Sequence, residues 1–241
     1  MKGIFSWLFP SPPSCPFCGR SRGNFFCCDC CWEELSSWRR DLHPCSLCGR
    51  LLPLGEGKLC PFCEKAPPPF IARAAGPYRG LLKELIWEFK YRGRRSLAFP
   101  LSQLLGQVLF RDLKGYRPDL LVPVPLSSQR LKVRSFNQAE LLASSLALSL
   151  GLPVEPLLLR VKDTPPLVDL SPRTRKQLVQ GAFRVEGKRR LEGRKILLID
   201  DVFTTGATVG ACAEALLLSG AAEVIVLTLA TGIINSPPSF L

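Results

Sequence analysis

The chain has 241 residues, 46% of them apolar, and a formal net charge of +12. That apolar fraction is ample for a packed core, and the length suits one large domain or a medium domain with a small appendage. No stretch approaches the ~18 apolar residues of a membrane span, and the start from Met1 to Phe9 lacks the length and cleavage site of a secretory signal, so a cytoplasmic protein is expected.

The positive charge is uneven. Residues 1–70 carry eight Lys/Arg against six Asp/Glu, residues 71–195 carry 24 against 10, and residues 196–241 carry none against four. The excess gathers at Arg73, Arg79, Lys83, Lys90, Arg92, Arg94 and Arg95, and again at Arg130, Lys132 and Arg134. Such clusters suit polyanions: a diphosphate, single-stranded nucleic acid, or both. An ordinary solvated basic face is the competing reading.

Ten of the 11 cysteines fall before residue 64. They group as Cys15-x-x-Cys18, a doubled set of Cys27, Cys28, Cys30 and Cys31, then Cys45-x-x-Cys48 and Cys60-x-x-Cys63. A C-x-x-C turn aims two thiolates at one ion, and two such turns complete an all-sulfur tetrahedral zinc site. The repeat of C-P-F-C-G-R (15–20) as C-S-L-C-G-R (45–50) supports two such sites. Glycine after each knuckle lets the backbone turn with positive φ, and Arg20, Arg22, Arg50 and Lys58 offset the thiolate charge. Sequential pairing gives Cys15, Cys18, Cys28 and Cys31 to one zinc and Cys45, Cys48, Cys60 and Cys63 to the other. Cys27/Cys30 is the rival second knuckle. Cys28/Cys31 is favoured by the helical stretch from Trp32 to Leu35 that follows it, and an interleaved pairing stays open. Disulfides fit a cytoplasmic chain poorly, and a redox dithiol lacks the strand it normally follows. His43, the lone histidine, is not needed by the spacing. Cys212 reads as a small core residue.

Residues 1–66 form the expected metal-held ribbon pair, which has too little apolar mass to fold without metal; residues 67–241 form the second domain, after the stiff linker Ala66-Pro67-Pro68-Pro69. Periodicity predicts helices over Leu81 to Tyr91, Leu97 to Leu113, Asn137 to Leu150 and Val209 to Ser219. Short apolar runs predict strands at Leu120 to Val124, Val154 to Leu159, Lys195 to Ile199 and Val224 to Leu229. The alternation implies an α/β fold with a parallel sheet covered on both faces. In such sheets ligands sit beyond the carboxyl ends of the strands, where the loops Pro125 to Phe136 and Asp200 to Thr208 would converge. Trp87, Phe89 and Tyr91 interleave with Lys90 and Arg92 and could stack bases; helical spacing equally suits a core role.

The most informative stretch is Ile196 to Thr208, I-L-L-I-D-D-V-F-T-T-G-A-T. A buried-strand run meets two acids, Asp200 and Asp201, then Val202 and Phe203, then Thr204, Thr205, Gly206, Ala207 and Thr208 at the mouth of a helix. A helix start offers free N–H groups and a positive dipole end to a phosphate, and the threonine hydroxyls add further donors. Carboxylates accept hydrogen bonds from ribose hydroxyls and can help hold magnesium, directly or through water. A sugar phosphate fits this arrangement. The bland alternative is a buried strand that ends at two surface aspartates.

This segment resembles the phosphoribosyl pyrophosphate (PRPP) signature of type I phosphoribosyltransferases, whose acid pair meets the ribose hydroxyls and whose loop binds the 5-phosphate. Phe203 stands where many members have a smaller aliphatic. Together with F-K-Y-R-G-R (89–94), V-P-V-P-L-S-S-Q-R-L-K-V-R-S-F-N-Q-A-E-L-L-A (122–143), T-P-P (164–166) and G-A-F (181–183), the layout resembles the ComF family. That resemblance implies a type I phosphoribosyltransferase-like parallel sheet flanked by helices and preceded by a double zinc ribbon. It implies binding of Mg-PRPP or a related ribose phosphate, with Asp200 to Thr208 as its site and Arg130, Lys132 and Arg134 on the diphosphate. It also implies phosphoribosyl transfer to an unidentified acceptor or, alternatively, a non-catalytic role with single-stranded DNA and competence-machinery proteins in DNA uptake. Asn137 and Gln138 could cap the helix after the basic loop. Ser135, Leu167 and Leu178 replace the family's usual glycine, glutamine and asparagine. The last two lie in the segment that closes over PRPP in the transferases, where Arg173, Arg175 and Lys176 remain as cations.

Overall fold

A computed structural model describes residues 14–20, 26–162, 178, 181–186 and 191–234. The cysteine-rich part contributes α1 (Asp29–Ser36), the strands β1 (Leu42–Pro44) and β2 (Leu51–Pro53), and the short α2 (Pro61–Lys65). Then come β3 (Ile71–Pro77), α3 (Gly80–Tyr91), α4 (Ala98–Asp112), β4 (Leu120–Pro123), α5 (Ser128–Arg134) and α6 (Gln138–Leu150). The chain continues with β5 (Leu158–Arg160), β6 (Phe183–Val185), β7 (Lys195–Phe203), α7 (Ala207–Leu218) and β8 (Glu223–Thr231). No helix among the described residues is long and apolar enough to cross a membrane.

The central sheet has the order β3-β8-β7-β4, and all its neighbours are parallel. Ile196 to Ile199 are fully buried, as expected of a strand covered on both faces. Alternation then sorts the side chains. Leu197, Ile199, Ile225 and Leu227 pack with apolar residues of α3, α4 and α6, whereas Ile196, Leu198, Val224 and Val226 pack with those of α7. The predicted α/β fold with its covered parallel sheet is the observed one.

Four local expectations are corrected. β7 does not stop at Ile199 but runs through the acidic pair to Phe203, with Asp200, Val202 and Phe203 opposite Thr228, Ala230 and Thr231 of β8. The strand expected over Val154 to Leu159 is broken. Val154 makes a single bridge to Leu121, and β5 begins only at Leu158, pairing antiparallel with β6. β3, a sheet strand, went unpredicted because Ile-Ala-Arg-Ala-Ala-Gly-Pro has little intrinsic strand preference. The basic stretch expected as a loop contains α5, capped by Ser127.

The cysteine-rich part shares its core with the sheet. Cys15, Phe17, Cys28, Cys31 and Leu35 belong to the cluster on the α3/α4/α6 face, and Cys45, Cys48, Cys60 and Cys63 to the one on the α7 face. Polar contacts fix the docking. The Trp38 indole N–H donates to the Ala75 carbonyl at 3.2 Å, and a Glu34 carboxylate oxygen accepts the Leu81 N–H at 3.0 Å. The acid thereby sits at the positive end of α3. Leu51 pairs with the segment after β8, donating to the Gly232 carbonyl at 3.1 Å and accepting from the Ile234 N–H at 2.8 Å. Two of the basic residues grouped by sequence serve this docking: Arg73 donates to the Ser46 carbonyl at 3.0 Å, and Arg94 to that of Pro16 at 2.8 Å.

Gly49 marks the closest approach. Its φ is +70°, and a methyl group there would lie 2.4 Å from the Ala72 carbonyl oxygen, whereas its counterpart Gly19, at φ +76°, faces open space. Gly49→Ala is expected to cost about 3 kcal/mol and Gly19→Ala only about 1 kcal/mol, measured by urea unfolding. Equal costs would contradict the packed docking.

Candidate functional site

The eight cysteines gather into two sets of four. The sulfurs of Cys15, Cys18, Cys28 and Cys31 lie within 4.8 Å of one another, as do those of Cys45, Cys48, Cys60 and Cys63. A tetrahedral zinc with bonds of ~2.3 Å would set its sulfurs about 3.8 Å apart. Cys15 and Cys31 are separated by 3.9 Å, Cys18 and Cys28 by 3.5 Å, and Cys48 and Cys60 by 3.5 Å. Backbone N–H groups already favour thiolates: Cys28 N–H points to the Cys15 sulfur at 3.4 Å and Cys60 N–H to that of Cys45 at 3.3 Å. Burial opposes ionisation of Cys15, yet these donors bring its pKa down to about 6; Cys45 comes down to about 7 in the same way. Burial and the crowding of sulfurs push Cys31 and Cys63 up. Four thiolates this close are stable together only around a cation, so both sets fit zinc. Cys28 and Cys31, rather than Cys27 and Cys30, are the pair whose sulfurs lie in the first set. Cys30 is exposed, and His43 lies on β1 outside both sets. Cys212 is a fully buried core residue of α7.

The second site lies at the carboxyl edge of the sheet, where β7 enters α7. Because β7 continues through the acidic pair, the two carboxylates leave it on opposite faces. Asp201 faces α3, and its Oδ1 is 2.7 Å from the Lys90 Nζ, both side chains being largely buried. Asp200 faces α7, and its Oδ1 accepts the Asp201 N–H at 2.8 Å. Burial, then the Asp201 charge, pushes the Asp200 carboxyl up to about 7, against the pull of that N–H, Lys90 and Arg130. Lys90 was not among the expected site residues. Its signal is positional: it follows Ile86 by four residues, which puts a cation beside the apolar stripe of α3.

Phe203 is buried, with its ring against Phe70 at 6.5 Å, and Thr204 is exposed. The Thr205 hydroxyl accepts the Ala207 N–H at 3.4 Å. Gly206 is the N-cap of α7 at φ +80°, and a methyl group there would meet the Phe203 ring at 2.7 Å. Thr205, Ala207 and Thr208 are half-buried around the helix start.

The three cations expected to act together are separated by α5. A helix puts positions four apart on one face and positions two apart nearly opposite. Arg130 is half-buried and near enough to act on Asp200, whereas Lys132 is exposed. Arg134 is engaged elsewhere: it donates to the Gln138 side-chain oxygen at 3.1 Å and to the Tyr91 hydroxyl at 3.3 Å. Asn137 caps α6 by accepting the Ala139 N–H at 3.1 Å; Gln138 instead is buried behind Arg134. Ser135 ends α5 at φ +62°, a left-handed conformation that disfavours a side chain. Ser135→Gly is therefore expected to raise stability by about 1 kcal/mol in urea unfolding; a loss would mean that the hydroxyl has a role of its own. Leu178 is half-buried, and Leu167, Arg173, Arg175 and Lys176 lie outside the described residues.

Two neighbouring features complete the surface. On α3, Trp87 and Tyr91 are 45% and 58% exposed, with Arg92 over the first ring at 5.1 Å and Arg134 over the second at 4.9 Å; Phe89 is core. A cleft of about 190 Å³ between α1 and the start of α3 is lined by Glu34, Trp38, Pro77 and Arg79, and no residue of Asp200 to Thr208 lines it.

No family model matches the chain. Individual relatives do. The DNA utilization protein YhgH of Escherichia coli K12 is 36% identical over 208 residues, 84% of this chain and 88% of the relative. Competence protein F of Haemophilus influenzae is 31% identical over 225 residues, 88% and 96% of the two chains. Competence protein ComFC of Bacillus subtilis is 31% identical over 187 residues, 75% and 74%. Among solved structures, glutamine PRPP amidotransferase from B. subtilis is similar at a TM-score of 0.41 and 21% identity, over 59% of this chain and 30% of that one. Adenine phosphoribosyltransferase from Saccharomyces cerevisiae is similar at 0.38 and 17%, over 58% and 72%. Identity above 30% across most of both chains settles the kinship: this chain belongs to the ComF family of DNA-utilization and competence proteins.

Proposed function

We propose that the chain binds a phosphorylated pentose, with Mg-PRPP as the best-fitting ligand, at the carboxyl edge of its parallel sheet. One observation carries the reading: β7 delivers a partly buried acidic pair directly into a left-handed glycine turn at the start of the twelve-residue α7. The amides of that turn and the hydroxyls of Thr204, Thr205 and Thr208 would hold the phosphate. Asp200 and Asp201 would accept from the ribose hydroxyls, with Lys90 holding Asp201 in place. Arg130 is the cation best placed for a diphosphate, and its planar fork suits phosphate oxygens. The two carboxylates diverge, so they make no shared seat for magnesium, which would arrive on the diphosphate. Phosphoribosyl transfer is the chemistry such a site supports. The bond from C1 to the diphosphate would break through an oxocarbenium-like state, with Arg130 stabilising the departing charge.

Calorimetric titration with Mg-PRPP tests the binding. An Asp200→Asn/Asp201→Asn double variant, kept below its melting temperature, is expected to bind about a hundredfold more weakly. Binding as tight as the parent's would remove the assignment. Release of pyrophosphate in the presence of bases or ammonia tests transfer.

A second reading is single-stranded DNA binding along α3, and the exposed Trp87 and Tyr91 with arginines over their rings favour it. The names of the relatives accord with it. Affinity for an oligonucleotide should fall steeply with salt and weaken in a Trp87→Ala/Tyr91→Ala variant. A flat salt response would exclude this surface.

A further inference from the structure

The residue that joins the two sites is Arg50, two positions after the metal ligand Cys48. Its Nε and Nη2 both donate to the Thr204 carbonyl, at 3.3 and 3.2 Å. Its Nη1 is 3.9 Å from the Cys48 sulfur. The guanidinium carbon lies 4.8 Å from the ring of Phe62, a residue between the ligands Cys60 and Cys63, and 5.3 Å from the ring of Phe203. One planar cation is thus wedged between the second four-cysteine set on one side and the turn from β7 to α7 on the other. Its grip is specific to that turn. Thr204 is the first residue of T-T-G-A-T, and Phe203 is the ring that the glycine at position 206 leaves room for. The adjacent strand β2 holds the neighbouring chain segment after β8 through Leu51. The repeat in the first ribbon ends in Arg20, whose side chain makes no contact of this kind among the described residues.

We infer that Arg50 is a positioning residue that makes the order of the Thr204–Thr208 turn depend on the metal at the second cysteine set, coupling metal and sugar-phosphate binding. The coupling to sugar phosphate rests on the function proposed above; the coupling to loop order does not. Fixing the Thr204 carbonyl fixes the plane of the next peptide and so the direction in which the amides at the helix start point. A compact lysine ammonium at position 50 would keep the charge but lose the two-pronged donation and the stacking. Linkage makes the effect reciprocal: a ligand that tightens the turn must also tighten binding of that metal.

The test uses the full-length, zinc-loaded protein and hydrogen exchange of the amides at 205–208 without ligand. Arg50→Lys should retain both zinc ions per chain by mass spectrometry, yet exchange these amides about tenfold faster than the parent. Arg20→Lys should leave them unchanged. Cys63→Ser should deprotect the same amides, or release the whole chain if it fails to fold, in which case Arg50→Lys decides. Unchanged protection in a zinc-loaded Arg50→Lys protein would overturn the inference. PRPP supplies the second arm: it should bind Arg50→Lys about tenfold more weakly and raise the parent's equilibrium affinity for zinc in competition with a chromogenic chelator. If the parent bound no PRPP, the functional reading would fall, while the exchange result would still decide whether Arg50 orders the turn.

Discussion

Asp201→Asn and Asp200→Asn are expected to change stability in opposite directions. Asp201 and Lys90 form a largely buried ion pair at 2.7 Å. Removing one partner strands the other's charge, and the loss is about 3 kcal/mol. Asp200 is the reverse case. The folded chain holds its proton up to about pH 7, against 3.8 for the ordinary carboxyl, because burial and the Asp201 charge disfavour ionisation. Between those values the folded state binds more protons than the unfolded chain, so stability falls as pH rises and the full cost is present above the upper one. Asparagine never ionises. The Asp200→Asn protein should therefore melt several degrees above the parent at about pH 8 and show little difference at about pH 4. Thermal melts across this range in magnesium-free buffer check both signs. An Asp200→Asn protein whose pH profile follows the parent's would show that this carboxyl is not the group held back. A costly acid kept in a half-buried position is what a binding site produces. The same substitution should gain stability and lose PRPP.

Much of this was legible in the sequence, and most of the exceptions share one cause. The cysteine spacing gives both four-cysteine groupings, with Cys28 and Cys31 in the first, because knuckle geometry is local. The helices α3, α4, α6 and α7 followed from apolar periodicity, with ends within about three residues of the expected ones. Most of what escaped depends on neighbours far away in the chain. β3 is strand because β8 pairs with it, not because Ala72 and Ala74 favour a strand. β7 runs past Ile199 because Thr228, Ala230 and Thr231 continue the ladder, although hydropathy ends at the acids. That extension sends Asp200 and Asp201 to different faces, which no spacing argument on the motif could give. α5 splits Lys132 from Arg130 through a helix too short and too basic for periodicity to reveal. Arg50 carried only a local signal, its place in the repeated knuckle, and its partner Thr204 is 154 residues away.

Stripping the metals is expected to have the largest effect on stability. Each four-cysteine set is built into a different face of the sheet, the first with α3, α4 and α6, the second with α7. Structural zinc in small knuckles is worth on the order of 10 kcal/mol, comparable to the whole stability of a domain. Losing either ion should therefore melt more than its own ribbon. Without the first, α1 loses the cysteine set at its start and keeps Leu35 as its remaining buried residue in the core, and the Glu34 contact that ties it to the start of α3 weakens with it. Without the second, the Leu51 pairing after β8 and the Arg50 contact to Thr204 are released. A strong chelator should lower the melting temperature by well over 10 °C and release two zinc ions per chain together with loss of tertiary circular dichroism. The single variants separate the faces. Cys31→Ser should expose Trp32 and Trp38 to fluorescence quenchers, whereas Cys63→Ser should first free the turn before α7. An unchanged melt after complete metal removal would mean that the sheet holds its core without the ribbons, contrary to the shared clusters in which their cysteines lie.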